Sequence, residues 1–201
     1  MTEMGGERMT LHTVLVKPAS GLCNMRCSYC FYCDEMEKRE EGVRGMMSVD
    51  TAKNLIKKAM RQAKDEVCFA FQGGEPTLRG LDFFREVVRL EERFNRRGIR
   101  VINTLQTNGY AIDEEWCRFF KEHDFLIGIS VDGTEELHDR YRHDAAGGPT
   151  YSRVRRAAEL LDRYGVAYNI LTVVTRPVAE HAREIYICLL YTSPSPRDST
   201  S

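Results

Sequence analysis

The sequence lacks the features that send a protein into a membrane or onto nucleic acid. Its longest apolar runs are too short to span a bilayer, and its first residues do not show the charged-then-apolar order of a secretory signal. Its 29 Lys and Arg residues are balanced by 30 Asp and Glu residues, so no basic excess points to nucleic acid and no acidic tail points to disorder. We therefore expect a soluble, cytoplasmic protein with neither membrane nor nucleic acid among its partners.

Cysteine is also scarce, and it is unevenly distributed. Only seven cysteines occur in 201 residues, and four of them lie in the stretch CNMRCSYCFYC, from Cys23 to Cys33. Because thiols stay reduced in the cytosol, this grouping favours a metal or redox site, with disulfide bonds between neighbours as the weaker alternative.

Strand and helix patterns alternate five times along the chain. The predicted strands cover residues 13–18, 66–72, 99–106, 125–132 and 166–175. The predicted helices cover residues 48–64, 81–97, 113–123 and 150–165, and a fifth begins at residue 179. Strands separated by helical patterns imply right-handed crossovers and a parallel sheet, so we expect an α/β fold.

A polar or glycine-containing motif follows each predicted strand. The cysteine stretch follows the first, QGGEP the second, QTNG the third, SVDG the fourth and Thr175-Arg176 the fifth. The loops after the carboxyl ends of parallel strands share one face of a barrel or open sheet, and sites are built there. The motifs therefore predict a single site on one rim.

The cysteine spacing, C-x3-C-x2-C with a further C-x2-C step, narrows the kind of site. A structural zinc site usually takes its ligands from two separated pairs, and the sequence has neither a second cysteine pair nor histidines at zinc-finger spacing. A thioredoxin-like pair would leave Cys23 and Cys27 without a role. Closely spaced thiolates suit an iron–sulfur cluster, and ligation by Cys23, Cys27 and Cys30 alone would leave one iron open.

Five motifs carry a resemblance to a known family. They are VLVKPASGLCNMRCSYCFY, FAFQGGEPTLRGLDFF, LQTNGYAIDEEW, FLIGISVDGTEELHDRYR and YNILTVVT, spread from about Leu15 to Tyr186. With them the chain resembles the radical S-adenosylmethionine (SAM) enzymes. Within these it is similar to the anaerobic sulfatase-maturating enzymes of the group with a cysteine-rich C-terminal extension. The fold implied by this resemblance is a partial (β/α) barrel with about five strand–helix units.

The resemblance implies a set of cofactor ligands. Cys23, Cys27 and Cys30 would bind three irons of a 4Fe–4S cluster, and SAM would chelate the fourth iron. The SAM contacts implied are Tyr29 beside the adenine, Gly74 at the methionine ammonium, and Ser130 and Arg142 at the ribose and carboxylate end. Gly73 and Glu75 of the same motif are also candidate SAM contacts, because paired glycines allow close approach and a carboxylate could offset an ammonium. Gln72, Gln106 and Asn108 are further candidates for substrate or cofactor contacts on the same rim. We interpret Cys33 as a non-ligand.

The resemblance also implies a reaction and partners. Reductive cleavage of SAM would give a 5′-deoxyadenosyl radical, which takes a hydrogen atom from Cβ of a Cys or Ser in a target sulfatase and leads to Cα-formylglycine. The implied activity is that of a radical SAM sulfatase-maturating oxidoreductase. Its partners would be the sulfatase polypeptide and a reduced electron donor such as a ferredoxin or a flavodoxin.

The end of the sequence differs in character from the rest. The stretch CLLYTSPSPRDSTS, residues 188–201, resembles from Cys188 to about Asp198 the translation of a transposon-based sequencing-library adapter. We therefore expect an incomplete radical SAM core in residues 1–187, the N-terminal fragment of a longer protein. The family's catalytic base and cysteine-rich domain would be missing, so the chain as written is predicted to be inactive.

Other interpretations are open at this point. Another radical SAM peptide-modifying maturase of the same subgroup, for example a thioether-forming one, would carry the same first half. A non-enzymatic zinc or redox module is the third possibility. Among single residues, the Gly73-Gly74 pair fits a plain turn, Asp132 fits a helix cap, and Cys68 and Cys117 fit packed hydrophobic positions.

Overall fold

Five parallel strands form the sheet of this protein, in a computed structural model that describes residues 12–38 and 44–192. The strands are β1 (Thr13–Val16), β2 (Glu66–Phe71), β3 (Arg100–Thr107), β4 (Leu126–Ser130) and β5 (Tyr168–Leu171). They lie in the order β1-β2-β3-β4-β5, and each neighbouring pair is parallel. Each strand lies next to the one before it, always in the same direction along the sheet. Because connections between parallel strands are right-handed, the connecting helices then lie on one face of the sheet, as in an arc of a barrel. The predicted α/β partial barrel is confirmed.

The helices fill the connections between strands. They are α1 (Phe31–Lys38), α2 (Val49–Gln62), α3 (Leu81–Phe94), α4 (Glu114–Glu122), α5 (Glu135–Tyr141), α6 (Tyr151–Arg163), α7 (Arg176–Glu180) and α8 (Ala182–Thr192), with a 3₁₀ turn at Pro76–Arg79. Three helices begin at a side-chain cap. The Ser48 hydroxyl accepts a hydrogen bond from Thr51 N, the Asp113 carboxylate accepts from Glu115 N and Trp116 N, and the Thr175 hydroxyl accepts from Val178 N. No helix within the described ranges is both long and apolar enough to cross a membrane.

Several predicted boundaries differ from the structure. The sequence patterns did not predict α1 and α5, and β5 is shorter than residues 166–175. The α8 helix continues to Thr192, past the predicted boundary at residue 187, and Cys188 Sγ lies 3.6 Å from the Gly133 carbonyl oxygen. Residues 193–201 lie outside the described part, so the division at 187 stays a prediction.

The two faces of the sheet have different chemistry. On the helix side, Val16, Phe71, Leu105 and Ile127 stand side by side in register and are buried. On the other face the helices provide no cover, and the side chains there are half-buried or exposed: Leu15, Cys68, Ala70, Gln72, Thr104, Gln106, Leu126, Ser130, Asn169 and Leu171. The stability of the fold therefore depends mainly on the helix-side half of each strand, which buries the apolar surface.

A buried acid–amide pair lies in the helix layer. The Asn103 amide of β3 donates a 2.8 Å hydrogen bond from Nδ2 to Oε2 of Glu91 on α3. The other two polar atoms, Glu91 Oε1 and Asn103 Oδ1, are buried without a partner. Burial is the main cause that raises the pKa of Glu91 to about 7, the Asn103 bond opposes it, and the nearby charge of Glu92 adds to it.

We expect Glu91→Gln to stabilise the protein in a pH-dependent manner. The pKa of Glu91 is about 7 in the folded protein and near 4.5 in the unfolded chain, so the wild type loses stability as the pH rises from about 4.5 through 7. Glutamine has no charge to bury, and its advantage should grow to at most about 3 kcal/mol at pH 8. Urea unfolding at pH 5 and pH 8 measures this, and a pH-independent difference would contradict it.

Candidate functional site

The loops that follow the strands meet at one rim and are joined by hydrogen bonds. After β1 comes the cysteine loop, which we define as residues 17–30, and its Leu22 carbonyl accepts a 2.8 Å bond from Glu75 N after β2. The Glu75 carboxylate accepts a 2.8 Å bond from Asn108 N after β3. After β4, Asp132 Oδ1 accepts a 3.0 Å bond from Val173 N after β5. The structure thus brings together the polar motifs that follow the first four strands and the end of β5 at Val173. Arg176 of the fifth predicted motif is instead exposed and pairs with Glu180.

The three predicted cluster ligands lie on one short stretch of this rim. Cys23, Cys27 and Cys30 are free thiols of intermediate exposure. Cys30 N donates to Cys27 O and Cys33 N donates to Cys30 O, and these turns lead into α1. Burial is the main cause that raises the pKa of Cys23 to about 11, and burial likewise raises the pKa of Cys27. The neighbouring thiols add to both shifts, so the sulfurs lie within electrostatic reach of one another.

This arrangement fits a multi-iron group in its donor chemistry. Several half-buried thiolates are costly to hold side by side unless cations offset their charge, and iron is such a cation. Within residues 12–38 and 44–192, no group of three or more His, Cys, Asp or Glu side chains is gathered closely enough to hold one metal ion. The thiolates of a 4Fe–4S cluster bind different irons, so they stand farther apart than ligands of a single ion.

Two features of the structure require glycine at both positions after β2: a positive φ, and neighbouring atoms that leave no room for a Cβ. Gly73 and Gly74 have φ values of +84° and +53°. A Cβ on Gly74 would lie 2.3 Å from the Leu22 carbonyl oxygen, and one on Gly73 would lie 2.9 Å from the stem of Lys17. The backbone therefore passes directly against the cysteine loop, where a side chain would push the two apart.

Glu75 is fully buried, and four donors engage its carboxylate. Oε1 accepts bonds from Thr77 N, Thr77 Oγ1 and Thr107 Oγ1, and Oε2 accepts from Asn108 N. Burial raises the pKa of Glu75, and these bonds oppose the rise. In this structure the side chain ties β2 to β3, and its contact with a cofactor stays a prediction.

A second buried carboxylate, Asp132, holds the other side of the cysteine loop. Arg142 Nε donates a 2.9 Å hydrogen bond to Oδ2, and Arg142 Nη2 donates a 3.2 Å bond to Oδ1. The Tyr29 hydroxyl also donates to Oδ2. The Arg142 guanidinium lies 5.5 Å from the centre of the Tyr29 ring. Arg142, predicted to bind the SAM carboxylate, is thus paired with a carboxylate of the protein itself, and Tyr29 is held in place by the same pair.

Residues 141–143, which we call the strap, run alongside the cysteine loop. Arg26 N donates to His143 O and Ser28 N donates to Tyr141 O, both at 2.8 Å. Behind the strap, His138 accepts a hydrogen bond from Asp132 N through Nδ1, and its Nε2 lies 3.1 Å from Thr150 Oγ1. Burial is the main cause that lowers the pKa of His138 to about 4, so this imidazole is neutral at physiological pH.

Ser130 and Gln106 lie on the face of the sheet without helices. Gln106 Nε2 donates to Ser130 Oγ at 3.2 Å, beside a cavity of about 250 Å³ whose lining includes Gln72, Gln106, Gly128 and Asn169. Gly128 leaves room for the Gln106 amide, because a Cβ there would lie 2.1 Å from Gln106 Oε1. The cavity wall therefore combines polar side chains with apolar ones, because Ala70, Leu126 and Leu171 also line it.

The sequence motifs did not predict the contacts that two residues, Asp132 and Asn24, make at the rim. Asp132 was interpreted as a helix cap, although its position between a buried strand and Gly133 also fits a charge placed at a strand end. Asn24 was given no role, and its Oδ1 accepts a 2.8 Å bond from Asn108 Nδ2 across the rim. No signal in the sequence alone marks that contact, because the partners are 84 residues apart.

Comparison with known proteins identifies the family. The model described as "Radical SAM superfamily" matches residues 18–186. The chain belongs to the radical SAM superfamily. Enzymes of this family use a 4Fe–4S cluster and SAM, and the thiols described above are donors of the kind that such a cluster needs.

Relatives with curated names point to one branch of the superfamily. A cysteine-type anaerobic sulfatase-maturating enzyme from Clostridium novyi is 47% identical over 87% of this chain and 46% of its own length. One from Clostridium perfringens is 43% identical over 87% of the chain and 47% of its length, and a serine-type enzyme from Bacteroides thetaiotaomicron is 34% identical over 86% and 42%. The predicted resemblance is confirmed, and the chain spans about half the length of these relatives.

Solved structures agree with these relatives. The structure "Native anSMEcpe with bound AdoMet and Cp18Cys peptide" has a TM-score of 0.84 and 41% identity over 90% of this chain and 48% of its own. The structure of Streptococcus suis SuiB bound to precursor peptide SuiA has a TM-score of 0.66 at 17% identity, over 91% of this chain and 37% of its own. The second likeness is one of fold alone.

We expect Gly74→Ala to displace the cysteine loop and to destabilise the protein by about 2–4 kcal/mol. The new Cβ would meet the Leu22 carbonyl in addition to the cost of a positive φ. Gly98→Ala is the matched control, since Gly98 has φ +64° and no atom within 4 Å of the added Cβ. Urea unfolding of both variants measures the difference, and equal losses would rule out the contact.

We expect Asp132→Asn to cost about 3–5 kcal/mol, because it leaves the buried Arg142 guanidinium without its counter-charge. Asp82→Asn makes the same change in an exposed pair with Arg85 and should cost less than about 1 kcal/mol. Urea unfolding at pH 7 measures both variants. A cost for Asp132→Asn no larger than that of the control would show that the pair does not hold the rim.

Proposed function

We propose that this chain is the radical SAM core of an anaerobic sulfatase-maturating oxidoreductase. The observation that carries the proposal is the loop after the first strand of a parallel barrel arc, which presents Cys23, Cys27 and Cys30. The sequence around it is up to 47% identical to enzymes of that name. The predicted division, with radical SAM core in residues 1–187 and an adapter-derived segment in 188–201, remains part of this proposal.

The residues that would hold the cofactors follow from the rim. Cys23, Cys27 and Cys30 would bind three irons of a 4Fe–4S cluster, with the fourth iron left to SAM. The proposed SAM contacts are Tyr29, Gly73, Gly74, Glu75, Ser130 and Arg142. When bound, the cluster and SAM supply a 5′-deoxyadenosyl radical that removes a hydrogen atom from the substrate.

The chain itself would contribute binding and orientation. The positive φ values of Gly73 and Gly74 bring backbone groups to the rim without side chains in the way. Asp132 holds the Tyr29 ring by its hydroxyl and Arg142 by its guanidinium, so the groups on that side are pre-oriented. The hydrogen-bonded pair of Gln106 and Ser130 lies on the sheet face without helices and would contact the reacting part of a peptide.

The substrate proposed is a sulfatase polypeptide whose Cys or Ser becomes Cα-formylglycine. Similarity favours a cysteine target, since cysteine-type relatives are 43–47% identical and the Bacteroides serine-type relative is 34% identical. We further propose a cytoplasmic location, a ferredoxin or flavodoxin as electron donor, and no membrane or nucleic-acid partner.

The first test is anaerobic reconstitution with iron and sulfide. We expect about four irons per chain, the content of one 4Fe–4S cluster, together with SAM cleavage under dithionite. Alanine at Cys23, Cys27 or Cys30 should abolish the brown colour and the SAM cleavage.

Two cysteines serve as controls in this experiment. Cys33→Ala should keep the iron, because Cys33 is proposed as a non-ligand, and Cys68→Ala should keep it because Cys68 lies in β2. A colourless wild type that takes up zinc instead would support the non-enzymatic module. Loss of iron in Cys33→Ala would mean that all four irons have protein ligands and that none is open to SAM.

A further inference from the structure

We propose that Asn108 donates a hydrogen bond to the cluster-ligating sulfur of Cys23 and thereby raises the reduction potential of the cluster, with Glu75 as the residue that positions it. The inference rests on the proposed function, because it concerns the cluster held by the cysteine loop. It goes beyond that function by assigning to Asn108 an effect on how readily the cluster accepts an electron.

The first observation is the contact itself. Asn108 Nδ2 lies 3.6 Å from Cys23 Sγ, and Met25 N lies 3.4 Å from the same sulfur. Both distances are within the range of N–H···S hydrogen bonds, which are longer than those to oxygen. Cys23 is therefore a ligand whose sulfur accepts two N–H groups from the protein.

The second observation fixes which end of the Asn108 amide faces the sulfur. Asn108 Oδ1 accepts a 2.9 Å bond from Tyr110 N, which only an oxygen can do. Nδ2 therefore faces the cysteine loop, where it donates to Asn24 Oδ1 at 2.8 Å as well as to Cys23. The orientation follows from the hydrogen-bond network.

The third observation is that Asn108 has little freedom to move. Its side chain is buried at 9% exposure, and its backbone N donates 2.8 Å to Oε2 of the fully buried Glu75. Three further donors from Thr77 and Thr107 hold the Glu75 carboxylate. Glu75 therefore positions Asn108 through its backbone, and the Glu75 charge also lies within electrostatic reach of Cys23.

The electrostatic consequence has a definite sign. Adding one electron makes a cluster and its thiolates more negative, and an N–H group aimed at a sulfur stabilises that state more than the oxidised one. Hydrogen bonds to the sulfurs are among the features that set iron–sulfur potentials. Removing the Asn108 donor should therefore make reduction less favourable.

The test is the midpoint potential of the anaerobically reconstituted chain, followed by the electron paramagnetic resonance signal of the reduced cluster in the absence of SAM. For Asn108→Leu we expect the reduction equilibrium constant to fall about tenfold, which is about 59 mV for a one-electron couple. Asn169→Leu is the matched control, because Asn169 lies exposed on β5 and lines the cavity away from the thiols. The control should keep the wild-type potential.

Two further variants keep the test decisive. Asn108→Asp keeps the acceptor for Tyr110 N, loses the donor and adds a negative charge, so its potential should fall at least as far, even if Asn108→Leu does not fold. Glu75→Gln removes a negative charge that lies within electrostatic reach of Cys23, so its potential should rise, opposite to the shift expected for Asn108→Asp. Incomplete loading lowers the signal amplitude and leaves the midpoint unchanged, so each variant can be compared with the wild type.

The outcomes separate the two proposals. A loaded Asn108→Leu or Asn108→Asp chain with the wild-type potential would overturn the inference and leave the proposed function intact. A wild-type chain that takes up no iron would overturn the proposed function, and the inference with it. A lowered potential in both variants, with Asn169→Leu unchanged, supports the assignment.

Discussion

The rim depends on one buried charge, the carboxylate of Glu75. A carboxylate without water is costly unless donors surround it, and here four donors do so. They come from its own turn and from the end of β3, while the Glu75 backbone N binds Leu22 in the cysteine loop. The need to satisfy this charge therefore holds three strand ends together, and the geometry of the thiols follows from it.

Asp132 repeats the same principle on the opposite side of the loop. Its donors are Arg142, Tyr29 and Val173, which belong to the strap, the cysteine loop and the end of β5. The cysteine loop is thus held from both sides by carboxylates that have no contact with bulk water. A pair of fixed charges at these positions pre-organises the thiols, so little rearrangement is needed when a charged group binds.

The sequence predicted the fold better than the contacts of the site. Regular alternation of strands and amphipathic helices was sufficient to predict the parallel sheet. The short helices α1 and α5 were not predicted, because they lie inside the loops after β1 and β4, where the polar motifs obscure the helical periodicity. Arg142 and Asp132 could each be suspected, but their pairing is a tertiary contact ten residues apart that no period in the sequence encodes. The same holds for Asn108 and Cys23.

The residues that pack the core and the residues that line the open wall lie on opposite faces of the sheet. Phe71, Leu105 and Ile127 point to the helices and carry the hydrophobic packing, whereas Thr104, Gly128 and Asn169 on the opposite face carry little of it. Apart from Gly128, where a side chain would collide with Gln106, residues on this second face can therefore be exchanged during evolution at small cost in folding free energy. A lineage could therefore alter the chemistry of this helix-free wall while the scaffold beneath it stays the same.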